Sequence, residues 1–271
     1  MIKSINIWSF KDSKDLATNI PLAKKAGFEA IELDMVREDG PLTWTTTESE
    51  ARAVRRIVEG EGLKLASLAL GGGWQHPLSD NDPNIAQEGV DAIRKGIDIA
   101  NWLGVDCVLI VPGSATPDVS YELVYERTRE KLVSLIGHAA GAGVTMGLEN
   151  VWNKFLLSPM EMRDYIDSCD SEWIQVYLDV GNMLLYGYPE QWIRILGDRT
   201  KKVHFKDFKA DTGFVGLLEG DVNWPEVMKA FAEVGYDGPC SVEVPCYQHH
   251  WEASLHVISM QMDYIFGRRS G

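Results

Sequence analysis

"IANWLGVDCVLIV", residues 99–111, carries an amphipathic helical run into Gly104 and then straight into a short strand of Val, Ile and Leu. The glycine suits the left-handed backbone that ends a helix, where a Cβ would be strained. A strand this uniformly apolar suits burial on both faces, as in a parallel sheet. The same passage recurs as "LAKKAGFEAIEL" (22–33), "IVEGEGLKLASLAL" (57–70), "HAAGAGVTMGLE" (138–149) and "FAEVGYDGPCSVEV" (231–244). Helix starts are marked as well. Ser158-Pro159-Met160-Glu161 and Thr47 with Glu50 read as capping boxes, and Asn223-Trp224-Pro225 as a third start.

Strands are expected near 2–8, 28–34, 64–70, 105–111, 144–149, 175–179, 202–206 and 239–244, with helices between them and a last helix over 253–266. Eight βα units predict a (β/α)₈ TIM barrel, one domain over residues 1–271. A doubly wound open sheet is the alternative, but "NIWSFKDS" after the first strand lacks its glycine-rich phosphate fingerprint. The one long connection, 207–223, holds Gly213, Gly216 and Gly220 and reads as a lid or binding loop, or as a phosphate cradle.

Composition narrows the function. The 271 residues carry 40 Asp+Glu against 26 Lys+Arg, a net charge of -14. That sign opposes nucleic-acid binding. No apolar run is long enough for a membrane span, and the first residues read as a strand rather than a signal peptide. Cys107, Cys169, Cys240 and Cys246 form no CxxC pair and read as free thiols. The expected compartment is the cytoplasm.

Four polar residues then stand out. Glu149 closes "VTMGLE", Asp179 closes "IQVYLD", His204 lies near the end of "KKVHFK", and Glu243 near the end of "CSVEV". Four consecutive strands each deliver a metal-capable side chain to the C-terminal rim, where such barrels keep their sites. Three carboxylates and an imidazole repel or stay protonated without a cation. With one they form an oxygen-rich shell for a divalent ion, Mn²⁺ foremost, with Mg²⁺, Co²⁺ or Zn²⁺ as alternatives. Any one of these acids alone reads as a helix cap; four in series read as a site.

At "GLENVWN" (147–153), "YLDVGNMLLYG" (177–187), "VHFKD" (203–207) and "SVEVP" (241–245) the chain resembles the sugar isomerase and epimerase superfamily with the xylose-isomerase-like barrel. That group includes ketose 3-epimerases, inosose dehydratases and, further off, type IV abasic-site endonucleases. The resemblance implies one divalent metal on Glu149, Asp179, His204 and Glu243. It also implies a carbohydrate substrate and an enediolate between two glutamates, Glu149 and Glu243, that act as acid and base. The implied activity is a sugar or sugar-phosphate epimerase or isomerase. A dehydratase or lyase acting on a keto-polyol, or a sugar-binding barrel without turnover, are the alternatives. Relatives commonly associate as homo-oligomers. Asn182 stands where the endonucleases carry a further His. The ketohexose 3-epimerases carry a second Glu where this chain has Phe155, a His where it has Asn182, and an Arg near Ala210.

Lys206 shares the face of His204 and is expected to bind a substrate oxygen or a phosphate; Asp207 would hold it there, or the two form an ordinary rim ion pair. Asn182 is expected to reach a sugar hydroxyl, or else to cap a turn. Trp8, at the tip of the first strand, is the aromatic residue expected against the sugar; Trp152 and the remaining Trp residues read as packing. His138 and His256 read as structural, and His249–His250 as surface loop.

Overall fold

The computed structural model describes residues 1–71 and 73–268. Eight parallel strands form the barrel: β1 (Ile2–Asn6), β2 (Ala30–Met35), β3 (Lys64–Leu70), β4 (Cys107–Ile110), β5 (Thr145–Glu149), β6 (Ile174–Asp179), β7 (Thr200–Phe205) and, after a small hairpin, β10 (Pro239–Val242). They close in the order β1-β10-β7-β6-β5-β4-β3-β2, with β1 bonded to both β10 and β2. The helices are α1 (Leu16–Ala26), α2 (Glu48–Gly60), α3 (Pro83–Leu103), α4 (Tyr121–Ala142), α5 (Pro159–Ser168), α6 (Pro189–Leu196), α7 (Trp224–Val234) and α8 (Trp251–Ile265). Closure excludes the open doubly wound sheet. No helix of the described residues is long and apolar enough to cross a membrane.

The punctuation works largely as the sequence implies. Gly27, Gly104, Gly143 and Gly235 cap α1, α3, α4 and α7 in the left-handed conformation. Helix α2 stops at Gly60 with Glu61 as its cap, and Gly62 follows in the left-handed conformation. Thr47 and Glu50 make the full capping box. At Ser158 only half of one forms: its side chain accepts from Glu161 N, but the Glu161 carboxylate turns to Leu157 N, 3.1 Å away.

Side chains alternate across each strand. Ile5, Leu33, Leu68, Val108, Leu148 and Val203 join the main apolar core. The opposite register faces the lumen, where Ala69, Cys107, Leu109 and Tyr177 make a small apolar cluster of their own. Tyr177 fits there because residue 147 is Gly. A Cβ at that position would stand 2.9 Å from Cys107 Sγ and 3.2 Å from Tyr177 Cδ2. Above this layer the inward register turns polar, through Asn6, Glu32, Ser67, Asp179 and His204, all buried.

The 207–223 connection holds an antiparallel hairpin, β8 (Asp207–Lys209) with β9 (Gly213–Val215). Asp207, fully buried, fastens it. Its Oδ1 accepts from Phe208 N at 3.0 Å and Val222 N at 3.3 Å; its Oδ2 accepts from Leu218 N at 3.0 Å and Trp224 Nε1 at 2.9 Å. The expectation that Asp207 holds Lys206 is therefore corrected, because both carboxylate oxygens are spent on the loop. Removing the carboxylate strands donors in a dry setting. Asp207→Ala should cost about 3 kcal/mol, read as a lower urea midpoint; a loss under about 1 kcal/mol would show that water replaces the carboxylate.

Candidate active site

The strand register brings the four rim residues together. Asp179 on β6 pairs directly with His204 on β7, and Glu149 on β5 pairs with Tyr177 beside Asp179. Glu243 lies just past β10, its amide still bonded to Phe205 O of β7 at 2.9 Å. One ligand-capable atom from each of Glu149, Asp179, His204 and Glu243 lies within 4.8 Å of the others. His204 Nδ1 stands 3.1 Å from Glu149 Oε1, 3.2 Å from Glu243 Oε2 and 3.9 Å from Asp179 Oδ2. Glu149 and Glu243 thus flank the imidazole from strands that sit on either side of β6 and β7 in the barrel.

The donor set fits a divalent cation. Asp179 Oδ2 is buried with no hydrogen-bond partner. Lys206 Nζ is 3.2 Å away but is not aligned to donate to it. Such an orphaned oxygen among other carboxylates is what a cation would satisfy. Lys206 Nζ also lies 3.0 Å from Glu243 Oε1 and 5.1 Å from the Phe214 ring centre, so it supplies positive charge between two of the acids.

Burial and charge push these groups apart. Burial drives the Glu149 carboxyl up to about 7, and the charges of Asp179 and Glu243 add to it against the hydrogen bond from His204. Burial likewise raises Asp179, against the pull of Lys206. For Glu243 burial is outweighed by the His204 hydrogen bond and by Lys206, and its carboxyl falls to about 2. His204 is held well above the ordinary imidazole range: burial opposes its charge, but Glu32, Glu149 and Glu243 outweigh it. A carboxyl and an imidazole that hold protons must release them to ligate a metal. Binding should therefore liberate about one to two protons at neutral pH, and affinity should rise from about pH 6 to about pH 8. Titration calorimetry in buffers of different ionisation enthalpy measures this; an affinity that does not change with pH would show the groups already deprotonated.

A profile of the xylose isomerase-like TIM barrel family matches residues 20–261. The chain belongs to this family. Among the relatives of this xylose isomerase-like barrel is L-ribulose-5-phosphate 3-epimerase UlaE of Escherichia coli strain K12. The two are 27% identical over 233 residues, 83% of this chain and 80% of that protein. The solved D-psicose 3-epimerase with D-tagatose from Clostridium cellulolyticum H10 matches with a TM-score of 0.80 at 17% identity, covering 98% of this chain and 99% of that one. The apo 3-keto-D-glucoside 4-epimerase YcjR from E. coli gives 0.77 at 14% identity, covering 98% and 100%. At those two identities the likeness is one of fold.

This xylose isomerase-like barrel also uses residues that the sequence reading passed over. Glu32, on β2 and fully buried, accepts from His204 Nε2 at 2.6 Å, from Asn6 Nδ2 at 2.7 Å, from Ser67 Oγ at 2.9 Å and from Tyr177 OH at 2.6 Å. With Nε2–H committed to Glu32, the Nδ1 lone pair of a neutral His204 faces the acids. Asn150 clamps Asp179 at both backbone groups, accepting from its N and donating to its O, each at 2.8 Å. Asn182 donates its own N to Asp179 Oδ1 at 2.7 Å and its side-chain amide to Asn150 O at 3.0 Å. The side chain of Asn182 makes no cap of its own turn, which begins at this residue, and it lines the cavity above the acids.

That cavity has a volume of about 380 Å³. Trp8, Trp74, Trp152 and Phe214 form much of its wall, with Lys206, Glu149 and Glu243 at its polar end. Trp8 Nε1 donates to Asp34 Oδ2 at 2.8 Å. Trp152, read from sequence as packing, stacks on Phe214 with ring centres 4.8 Å apart and donates its Nε1 to Asn182 O at 2.9 Å. His138 pairs with Asp98 at 2.8 Å on the helical shell, and His249, His250 and His256 lie outside the cavity lining.

Proposed function

We propose that this barrel is a divalent-metal-dependent sugar epimerase, with Glu149 and Glu243 as the acid and base. The observation that carries the reading is the placing of these two glutamates on either side of His204 Nδ1, at 3.1 Å and 3.2 Å, with the orphaned Asp179 oxygen between their strands. The family and the epimerase relatives support it. Glu149, Asp179, His204 and Glu243 would hold the ion, Mn²⁺ foremost. Bound there, a divalent cation supplies Lewis-acid polarisation of a ketose carbonyl and its neighbouring hydroxyl.

The chain's own groups do the rest. One glutamate takes the proton from the carbon beside the carbonyl, giving an enediolate. The glutamate opposite returns a proton to the other face of that carbon and inverts it. Lys206 would donate to a substrate oxygen and, with its charge, favour the enediolate. Asn182 and Trp8 would line the substrate at the open end, and Trp152 and Phe214 would narrow the space for bulk water.

The test is hydrogen exchange. Metal-loaded protein is incubated with ketoses in D₂O, removed, and the sugars are read by NMR. Deuterium at one carbon next to the carbonyl, together with the epimer at that carbon, is the expected result. Chelation should abolish it and added metal restore it. Deuterium accompanied by an aldose, or by loss of a hydroxyl, would overturn the epimerase assignment in favour of an isomerase or a dehydratase.

A further inference from the structure

We propose that this site takes an uncharged, unphosphorylated sugar whose C–H face lies against the Trp8, Trp152 and Phe214 wall. The inference rests on the reading of the site as a sugar site and adds the charge of the substrate to it.

Three observations carry it. First, the loops after the seventh and eighth barrel strands are where such barrels bind phosphate, on backbone N–H groups. Here the N–H groups of the 207–223 loop already have an anion. Phe208, Leu218 and Val222 all donate to the Asp207 carboxylate. Gly220 is packed so closely on Asp207 Oδ1 and on Phe208 O that even a Cβ would not fit there. At Gly220 the cradle that the glycines of this loop suggest is thus filled from within. The start of α7 is likewise engaged, since Asn223 accepts from Glu226 N at 3.4 Å and Glu226 adds a negative charge to the first turn. No residue of the opening turn of α8 lines the cavity.

Second, among the described residues that line the cavity Lys206 is the one cation, and it lies between Asp179 and Glu243 at 3.2 Å and 3.0 Å. Arg37, just past β2, turns to Glu88 at 3.3 Å and to the Trp44 ring. Lys154 and Lys209 belong to the neighbouring loops but are not part of the lining. A phosphate dianion in this space would meet Glu149 and Glu243, and like charges so placed are disfavoured.

Third, the wall itself is suited to a neutral guest. The indole N–H groups of Trp8 and Trp152 are spent on Asp34 and Asn182, and Leu70, Leu109 and Val111 complete the surface. Apart from Trp74, what remains for the ligand is ring surface and aliphatic surface, which gains from covering the C–H face of a sugar.

The experiment pairs L-ribulose with L-ribulose 5-phosphate on the metal-loaded protein, with two readouts: D₂O exchange for kcat/KM, and tryptophan fluorescence for binding. A kcat/KM at least about tenfold higher for the free sugar is expected. Equal values, or a higher value for the phosphate, overturn the proposal. If neither sugar exchanges, the epimerase assignment fails on this pair and binding alone decides the charge question. Tighter binding of the free sugar upholds the proposal; equal or tighter binding of the phosphate, or binding of neither, overturns it.

Discussion

Glu149→Gln and Glu243→Gln each stop epimerisation, lowering kcat by about 10²–10⁴-fold, yet each leaves hydrogen exchange alive on one epimer only. That split is the signature of two bases on opposite faces. With one glutamate gone, the other still removes the proton from the epimer that presents it and returns solvent deuterium to the same face. The two variants should therefore exchange opposite members of an epimeric pair. Both glutamates are also counted among the metal-holding groups, so metal content is measured alongside. A variant that has merely lost its metal exchanges neither epimer and regains exchange at higher metal concentration. Full epimerase activity in either variant would falsify the two-glutamate mechanism. The environments make the outcome unequal. Glu149, buried and drawn up to about 7, is only partly charged at neutral pH in the metal-free protein and so gives up less on conversion to Gln. Glu243, at about 2, gives up an ion pair with Lys206. Glu243→Gln should accordingly weaken the fold more.

Glu32→Gln is the second large effect, and it acts through His204. The Glu32 carboxylate gathers four donors in the barrel interior, His204 Nε2 among them. A carboxylate on the far nitrogen of a ligating histidine fixes its tautomer and makes the near nitrogen a better ligand. Glutamine can still accept through its one oxygen. With that oxygen kept toward His204 and Asn6, its amide nitrogen faces the Ser67 and Tyr177 hydroxyls, which must turn from donating to accepting. Metal affinity should fall by about 10- to 100-fold, read by calorimetry or by the visible spectrum of a Co²⁺-loaded sample. Unchanged affinity would mean that the burial of His204, rather than its partner, sets its orientation. Because the readout is metal binding, a loss of turnover through some other route does not mimic it.

The barrel was legible because its signals are local. A glycine after each of several helices, an apolar strand directly behind it, and caps such as Thr47 with Glu50 are read within a dozen residues. The rim cluster was legible for a related reason: Glu149, Asp179, His204 and Glu243 each lie at or beside the C-terminal end of a strand, so one rule places all four at one face. Glu32 was not read because its partners come from four other strands. Its one local sign was an acid in the middle of "AIELDM", a strand whose neighbours are all buried, and acids are seldom so placed without partners. Asp207 went the other way. Its place after His204 and Lys206 suggested chemistry, while the donors that claim it arrive 11 to 17 residues later. Trp152 and Phe214 meet only because the hairpin folds back over the loop after β5. The hairpin strands, three residues each, are too short to leave a pattern.

Lys206 has a bearing on how the protein matures. Its ammonium and the imidazolium of His204 lie among the acids as internal counter-ions, so the acids are partly neutralised before any metal arrives. These internal counter-ions let the barrel close around its acids without a metal. On the proposed reading, loading would be a late step in which one divalent ion displaces protons and loosens the hold of a lysine. The identity of that ion is then governed less by folding than by which divalent cations the surroundings keep exchangeable.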